Sequence, residues 1–242
     1  MKTYREFLGE VLNGNQSRER VEWTNTWIDN ASNSTPLQPY NANIQPRILI
    51  IGDSTARMVR STLAKTMECP VDMIGTSSNL YDELFVNLID SFFNNSIYHY
   101  NVIFVQIGHH GRTGIDGGAF TDKDLVRYKD NMNCLLDFLR QYCRNIIVET
   151  IFDAVIPASR PQQLLIRLNI KGEKPDNKIN SITQAKNRVL FTICQNTQCH
   201  LLDINSYMNN QRYLHIDHIH FERRAKKVIA KRMKEEINKL IE

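Results

Sequence analysis

From residue 46 onward the apolar positions of this chain fall into two alternating patterns. The run Arg47-Ile-Leu-Ile-Ile51 has no polar residue after its first position and stops at Gly52, which predicts a strand buried on both faces of a parallel sheet. Similar short runs over 71–74, 101–107, 146–151 and 200–204 predict four more strands, the first of them ended by Gly75 and the second by Gly108. Between them the spacing turns helical. Helices are predicted over 55–66, over 80–93 (Leu84, Phe85, Leu88 and Phe92 on one side), over 122–143 and over 179–195, with a last one over 222–240. Residues 152–177 contain Pro and Lys and show little period, so a long loop is expected there, of the kind that often carries function.

Strands that alternate with helices imply right-handed crossovers and a parallel sheet covered on both faces. Reactive groups then gather at the carboxyl ends of the strands. Here those ends read Gly52-Asp-Ser-Thr, Gly75-Thr-Ser-Ser and Gly108-His-His-Gly. The first 45 residues differ. Tyr4, Phe7, Leu8, Val11 and Leu12 suggest one amphipathic helix and residues 21–29 a second, and both tryptophans, Trp23 and Trp27, lie there ahead of a polar linker. The division expected is an N-terminal helical arm and linker over 1–45 and a catalytic-type domain over 46–242. The arm's aromatics either pack on the domain or form a lid or substrate wall.

Composition adds limits. With 42% hydrophobic and 23% charged residues in 242, the chain is ordinary globular protein. The net charge of +4 is too thin to suggest nucleic acid as a partner. No stretch approaches the roughly 18 apolar residues of a membrane span. The charged start, Met1-Lys-Thr-Tyr-Arg-Glu, lacks the apolar run of a signal peptide, so a cytoplasmic location is expected. The five cysteines form neither a disulfide framework nor a metal pattern. Oligomeric state is left open.

Two motifs carry chemistry. In Gly52-Asp53-Ser54-Thr55 the serine stands on a strand-to-helix turn, where the helix start offers amides and a positive dipole end to a developing oxyanion; the same tetrapeptide also serves as a plain cap. In Asp217-His218-Ile219-His220-Phe221, ahead of the last helix, Asp217 and His220 are spaced to meet on a tight turn, while His218 points away from its neighbour. A base for serine needs its imidazole held in one tautomer, which makes His220 the candidate base and Asp217 its orienting acid. A metal cluster from His215, Asp217, His218 and His220, joined by His109 and His110, is the competing reading. No metal site is expected, since no cysteine or H-E-x-x-H pattern supports one. The basic residues of the last helix, among them Arg223, Lys227 and Lys231, alternate with Val228, Ile229, Met233 and Ile237, as on an amphipathic helix with a solvated face.

Taken together, Gly-Asp-Ser after the first strand, a Gly-ended middle strand and Asp-x-x-His before the last helix resemble the SGNH, or GDSL, hydrolase family, from about residue 46 to the end. The resemblance implies a flavodoxin-like three-layer α/β/α sandwich with a five-stranded parallel sheet. It also implies a Ser54–His220–Asp217 triad acting through an acyl-serine. The family's oxyanion hole would map to the Ser54 N–H, to a donor at Gly75 or Ser78, and to a third-block asparagine. That third block departs from the family's Gly-x-Asn-Asp: this chain has Gly108-His109-His110-Gly111, so His110 stands in the asparagine's place with His109 beside it. An imidazole N–H can still donate to an oxyanion. Asp53 precedes the nucleophile. Arg57 gives Gly-Asp-Ser-x-x-Arg, either a solvated helix arginine or a charge near the oxyanion or an acyl donor's phosphate. The activity implied is hydrolysis of a small O-acyl ester, acetyl on a carbohydrate being favoured. The alternatives are an O-acyltransferase with acyl-CoA as co-substrate, and a non-catalytic glycan- or partner-binding module. No cofactor is expected.

Overall fold

In this computed structural model the described residues are 26–29, 46–76, 89–90, 93, 99–114, 117–168, 170–210 and 215–241. Strand β1 is Thr26–Asp29 and β2 is Ile48–Gly52, followed by helix α1 (Ser54–Met67) and β3 (Val71–Thr76). Then come β4 (Val102–Gln106), α2 (Asp122–Leu139) and β5 (Ile146–Glu149). A short excursion holds β6 (Val155–Ile156), α3 (Arg160–Arg167) and β7 (Lys174–Pro175). The chain closes with α4 (Asn177–Asn196), β8 (His200–Leu202), α5 (Ile204–Asn209) and α6 (Arg223–Ile241).

The main sheet runs β1-β3-β2-β4-β5-β8. Its last five members are parallel, and β1 joins the edge antiparallel to β3, with Trp27 opposite Gly75. Counting only the parallel strands in chain order, the arrangement is 2-1-3-4-5, the flavodoxin-like order. Each central strand divides its side chains between two cores. Leu49, Ile51, Ile103, Val105 and Val148 meet Met132, Leu135, Leu136, Leu190 and Ile193 of α2 and α4. Ile48, Ile50, Val102, Phe104 and Ile147 meet Val59, Leu63, Ile229, Met233 and Ile237 of α1 and α6. Three layers result, with helices on both faces of an apolar sheet. The basic side of α6 faces outward, as its spacing predicts, and Lys234 donates back to the Thr66 carbonyl at 3.0 Å.

Two expectations are corrected. Residues 26–29 form a strand, not the end of a helix: Thr, Trp and Ile suit a pleated edge, and Ile28 stands opposite Ile74. Part of the N-terminal 45 residues therefore belongs to the sheet. Residues 152–177 are not a structureless loop but a two-stranded β6–β7 ribbon with a helix between. The helix starts at a capping box, Ser159 with Gln162, and buries none of its residues, Leu164 and Leu165 being exposed. The expected helix over 80–93 is described only at Ile89, Asp90 and Phe93, which are helical. The expected helix near Tyr4 and Phe7, together with Trp23 and the Trp27 side chain, lies outside the described residues.

Candidate active site

Ser54 is placed by the end of β2. Gly52 has no room for a side chain, since a Cβ there would lie 2.6 Å from the Gln106 carbonyl oxygen and 2.7 Å from the Ala56 Cβ. That close approach lets β2 turn at once into α1. Asp53 caps the helix, its carboxylate accepting from the Thr55 amide at 2.9 Å and the Thr55 hydroxyl at 2.6 Å. Ser54 is thus the first residue of α1, and its amide has no acceptor within the helix.

The second component is the loop 215–221. A bridge between His215 and Phe221 and a bond from the Ile216 amide to the His220 carbonyl (2.7 Å) pinch it closed. Asp217 organises the tip: one carboxylate oxygen accepts from the Ile219 and His220 amides, both at 2.8 Å, and the other lies 2.6 Å from His220 Nδ1. Burial would raise the Asp217 pKa, but these three bonds outweigh it and hold the carboxyl below its usual value. The far nitrogen of the ring, His220 Nε2, lies 2.9 Å from Ser54 Oγ. Residues 166 positions apart in sequence therefore complete a Ser54–His220–Asp217 array. His218 stands off, with its Nδ1 4.0 Å from the Asp217 carboxylate.

The loop after β4 closes the third side. Gly108 adopts φ +152°, a backbone conformation strained for any residue with a side chain, and a Cβ there would also press on the Ile151 Cδ1. His109 is buried. Its amide reaches Asp53 at 3.4 Å, and Arg112 donates to its Nδ1 at 3.3 Å. Burial first, with the Arg112 charge assisting, pushes the His109 pKa down to about 3, so the ring is neutral. Asp53 is raised by burial, yet the imidazoles of His109 and His110 and the Thr55 bonds bring it below its usual value. Under this loop lies Lys186 of α4, only 2% exposed, whose ammonium donates to the carbonyls of Gly108 (2.9 Å), His110 (2.8 Å) and Gly111 (2.9 Å). The rings of Phe120 and Tyr128 flank it at 5.3 Å each.

Of the residues singled out from sequence, Ser54, Asp217 and His220 come together, and Asp53, His109 and His110 gather beside them. Gly75 sits on the same rim, in register with Gly52. Arg57 is exposed on the first turn of α1, and Ser78 lies outside the described residues. Among the described residues no three His, Cys, Asp or Glu side chains group as metal ligands; His215, counted in the metal reading, is tied to Glu173 at 2.7 Å instead. Lys186 is the functional-site residue that motif reading missed. The available signal was a lysine on the buried side of a helix, between Thr183 and Leu190 at helical spacing.

A GDSL-like lipase from Bacteroides thetaiotaomicron superposes on this chain with a TM-score of 0.55 at 13% identity, over 80% of this chain and 88% of that one. The C-terminal catalytic domain of a peptidoglycan O-acetyltransferase from Streptococcus pneumoniae does so with a TM-score of 0.56 at 13% identity, over 82% and 96%. The fold is that of the SGNH hydrolases. An acetylxylan esterase from Geobacillus stearothermophilus shares it, with a TM-score of 0.50 at 13% identity over 82% of this chain and 96% of that one. No family model and no curated protein matches the sequence. Within the SGNH fold, the Ser54 rim of this chain lies at the crevice between β2 and β4, where the strand order reverses.

Proposed function

We propose that the protein is a serine-dependent hydrolase of small O-acyl esters, with acetyl on a carbohydrate as the favoured substrate. The observation that carries this reading is the Ser54 Oγ at 2.9 Å from His220 Nε2, with His220 Nδ1 at 2.6 Å from Asp217. Nδ1–H donates to the carboxylate, which leaves the Nε2 lone pair facing the hydroxyl. Ser54 attacks the ester carbonyl as His220 takes its proton. The oxyanion of the tetrahedral intermediate is met by the Ser54 amide, a donor in the Gly75 region and His110. Collapse breaks the bond to the alkoxy oxygen, and His220 returns the proton to the leaving alcohol. A water, deprotonated by the same ring, then attacks the acyl-serine, releasing the acid and regenerating Ser54.

A second reading, transfer of the acyl group to a sugar hydroxyl, is supported by the likeness to the O-acetyltransferase domain. The chemistry is shared up to the acyl-serine; only the second nucleophile differs. A fluorophosphonate probe tests the common step: wild type should be labelled and Ser54→Ala should not. Wild type that resists the probe would instead favour a non-catalytic binding module. Product analysis with acetylated xylo-oligosaccharides, and with acetyl-CoA plus acceptor sugars, separates hydrolysis from transfer.

A further inference from the structure

Exposed apolar side chains are not scattered over this chain. Among the described residues ten large ones are exposed, and six of them, Ile156, Leu164, Leu165, Leu168, Ile170 and Ile216, lie in the 152–177 excursion or in the loop of Asp217 and His220. Those two segments are joined. Glu173 accepts from the His215 amide at 2.8 Å and holds its Nδ1 at 2.7 Å, and the Val155 amide donates to the His218 carbonyl at 2.9 Å. Helix α3 is turned inside out. At 3.6 residues per turn, Pro161, Leu164, Leu165 and Leu168 fall within about 100° of one another. All four are exposed, whereas Gln163 and Ile166 on the opposite side are half-buried, Gln163 donating to the Ala158 carbonyl at 3.1 Å. A single exposed leucine means little, but a cluster of this kind marks a surface that meets something apolar.

Charge says what that something is. Residues 155–178 hold five cations, Arg160, Arg167, Lys171, Lys174 and Lys178, against two acids, and α3 itself has no acid at all. The five cations are exposed. The two acids are engaged inward: both oxygens of Glu173 are on His215, and Asp176 caps α4 by accepting from the Ile179 amide at 3.2 Å. Beside the excursion, Asp153 and Glu222 are matched by Arg223 and Arg224 at the start of α6, so the net charge stays positive. A second copy of this chain would set like charges against one another. The N-terminal residues 1–25 carry four cations and four acids, which gives them no complementary charge. A greasy stripe edged by arginine and lysine fits a layer that is apolar within and negative at its surface. We propose that α3 and the residues after it form a docking surface for an anionic lipid bilayer. The leucines enter the headgroup layer, and the cations meet the charged headgroups. The eight residues of α3 span only about 12 Å, so the helix lies along the surface and does not cross it.

Flotation of the full chain tests this, with vesicles of equal parts phosphatidylcholine and phosphatidylserine and with vesicles of phosphatidylcholine alone. The chain should float with the mixed vesicles, less so as salt is raised, and stay behind with the neutral ones. The double variant Leu164→Gln, Leu168→Gln should stay behind with both while melting like wild type, since neither leucine is buried. Arg167→Gln with Lys171→Gln should weaken vesicle affinity about 30-fold. Val126→Gln, at an exposed site on α2, should float as wild type does, and so should Ser54→Ala, which separates docking from the serine chemistry. Wild type that ignores the mixed vesicles overturns the proposal. So does equal flotation with neutral vesicles, or either double variant floating like wild type. A dimer in sedimentation equilibrium that the leucine variant dissolves, with no flotation of wild type, would assign the stripe to a second copy and overturn it too.

Discussion

In the proposed mechanism His110 serves as an oxyanion donor, and its backbone carbonyl is anchored by Lys186. Replacing it with alanine removes the ring and keeps the backbone. The expected result is a fall in ester turnover of about 10²- to 10³-fold, the loss seen when one oxyanion donor is removed. Turnover equal to wild type would show that the ring is filling space. Away from the serine, Glu149 is buried at the end of β5, and burial alone pushes its pKa up to about 8 from 4.5. The folded protein then holds a proton that the unfolded chain releases. This contribution to stability is complete below pH 4.5, declines as pH rises toward 8, and is gone above. Glu149→Gln does not titrate, so its melting temperature should gain on that of wild type between pH 5 and 9; parallel curves would contradict the assignment. His109 acts at the other end. Its depressed pKa means that stability is lost as pH falls from 6.5 toward 3.

At the scale of elements, the loop 108–111 depends on a helix distant in sequence. Lys186→Met would preserve the length of the side chain but strand three buried carbonyls, at a cost on the order of 3 kcal/mol in a urea melt. Turnover of the folded fraction should fall too, because His110 loses its anchor. The five parallel strands were readable in advance since each is a short, mainly apolar run, and so were Ser54, Asp217 and His220, whose motifs are local. Lys186 was not, because its three partners lie 75 to 78 positions away. The Glu173–His215 pair was hidden for the same reason, being separated by 42 positions. Helix α3 escaped because its eight residues are too few to establish a helical period. The strand at 26–29 escaped because four residues are too few to show their period.

Over the whole molecule the two rims of the sheet have different tasks. The carboxyl rim carries the serine, the histidines and their acids. Near the opposite rim Arg47 and Asp72 are paired inside the protein at 2.6 Å, with the Tyr100 hydroxyl donating to the same carboxylate at 2.9 Å. Asp72→Ala would leave the guanidinium buried without its carboxylate and should cost about 3–5 kcal/mol in a denaturant melt; a loss below 1 kcal/mol would mean that water enters to solvate Arg47.

That pair also bears on how β2 keeps its place. Where a strand has one wet face, slipping by one residue turns apolar side chains outward and is penalised at once. Ile48 to Ile51 offer no such penalty, for both faces are greasy and a slip would trade one branched aliphatic side chain for another. The alignment must be fixed at the ends. At one end Arg47 locks to Asp72 and its amide to Asn101 at 2.7 Å; at the other Gly52 is the one residue that fits against Gln106. The strand is a ruler with a stop at each end, and Ser54 stands where it does partly because an arginine seven residues earlier cannot move.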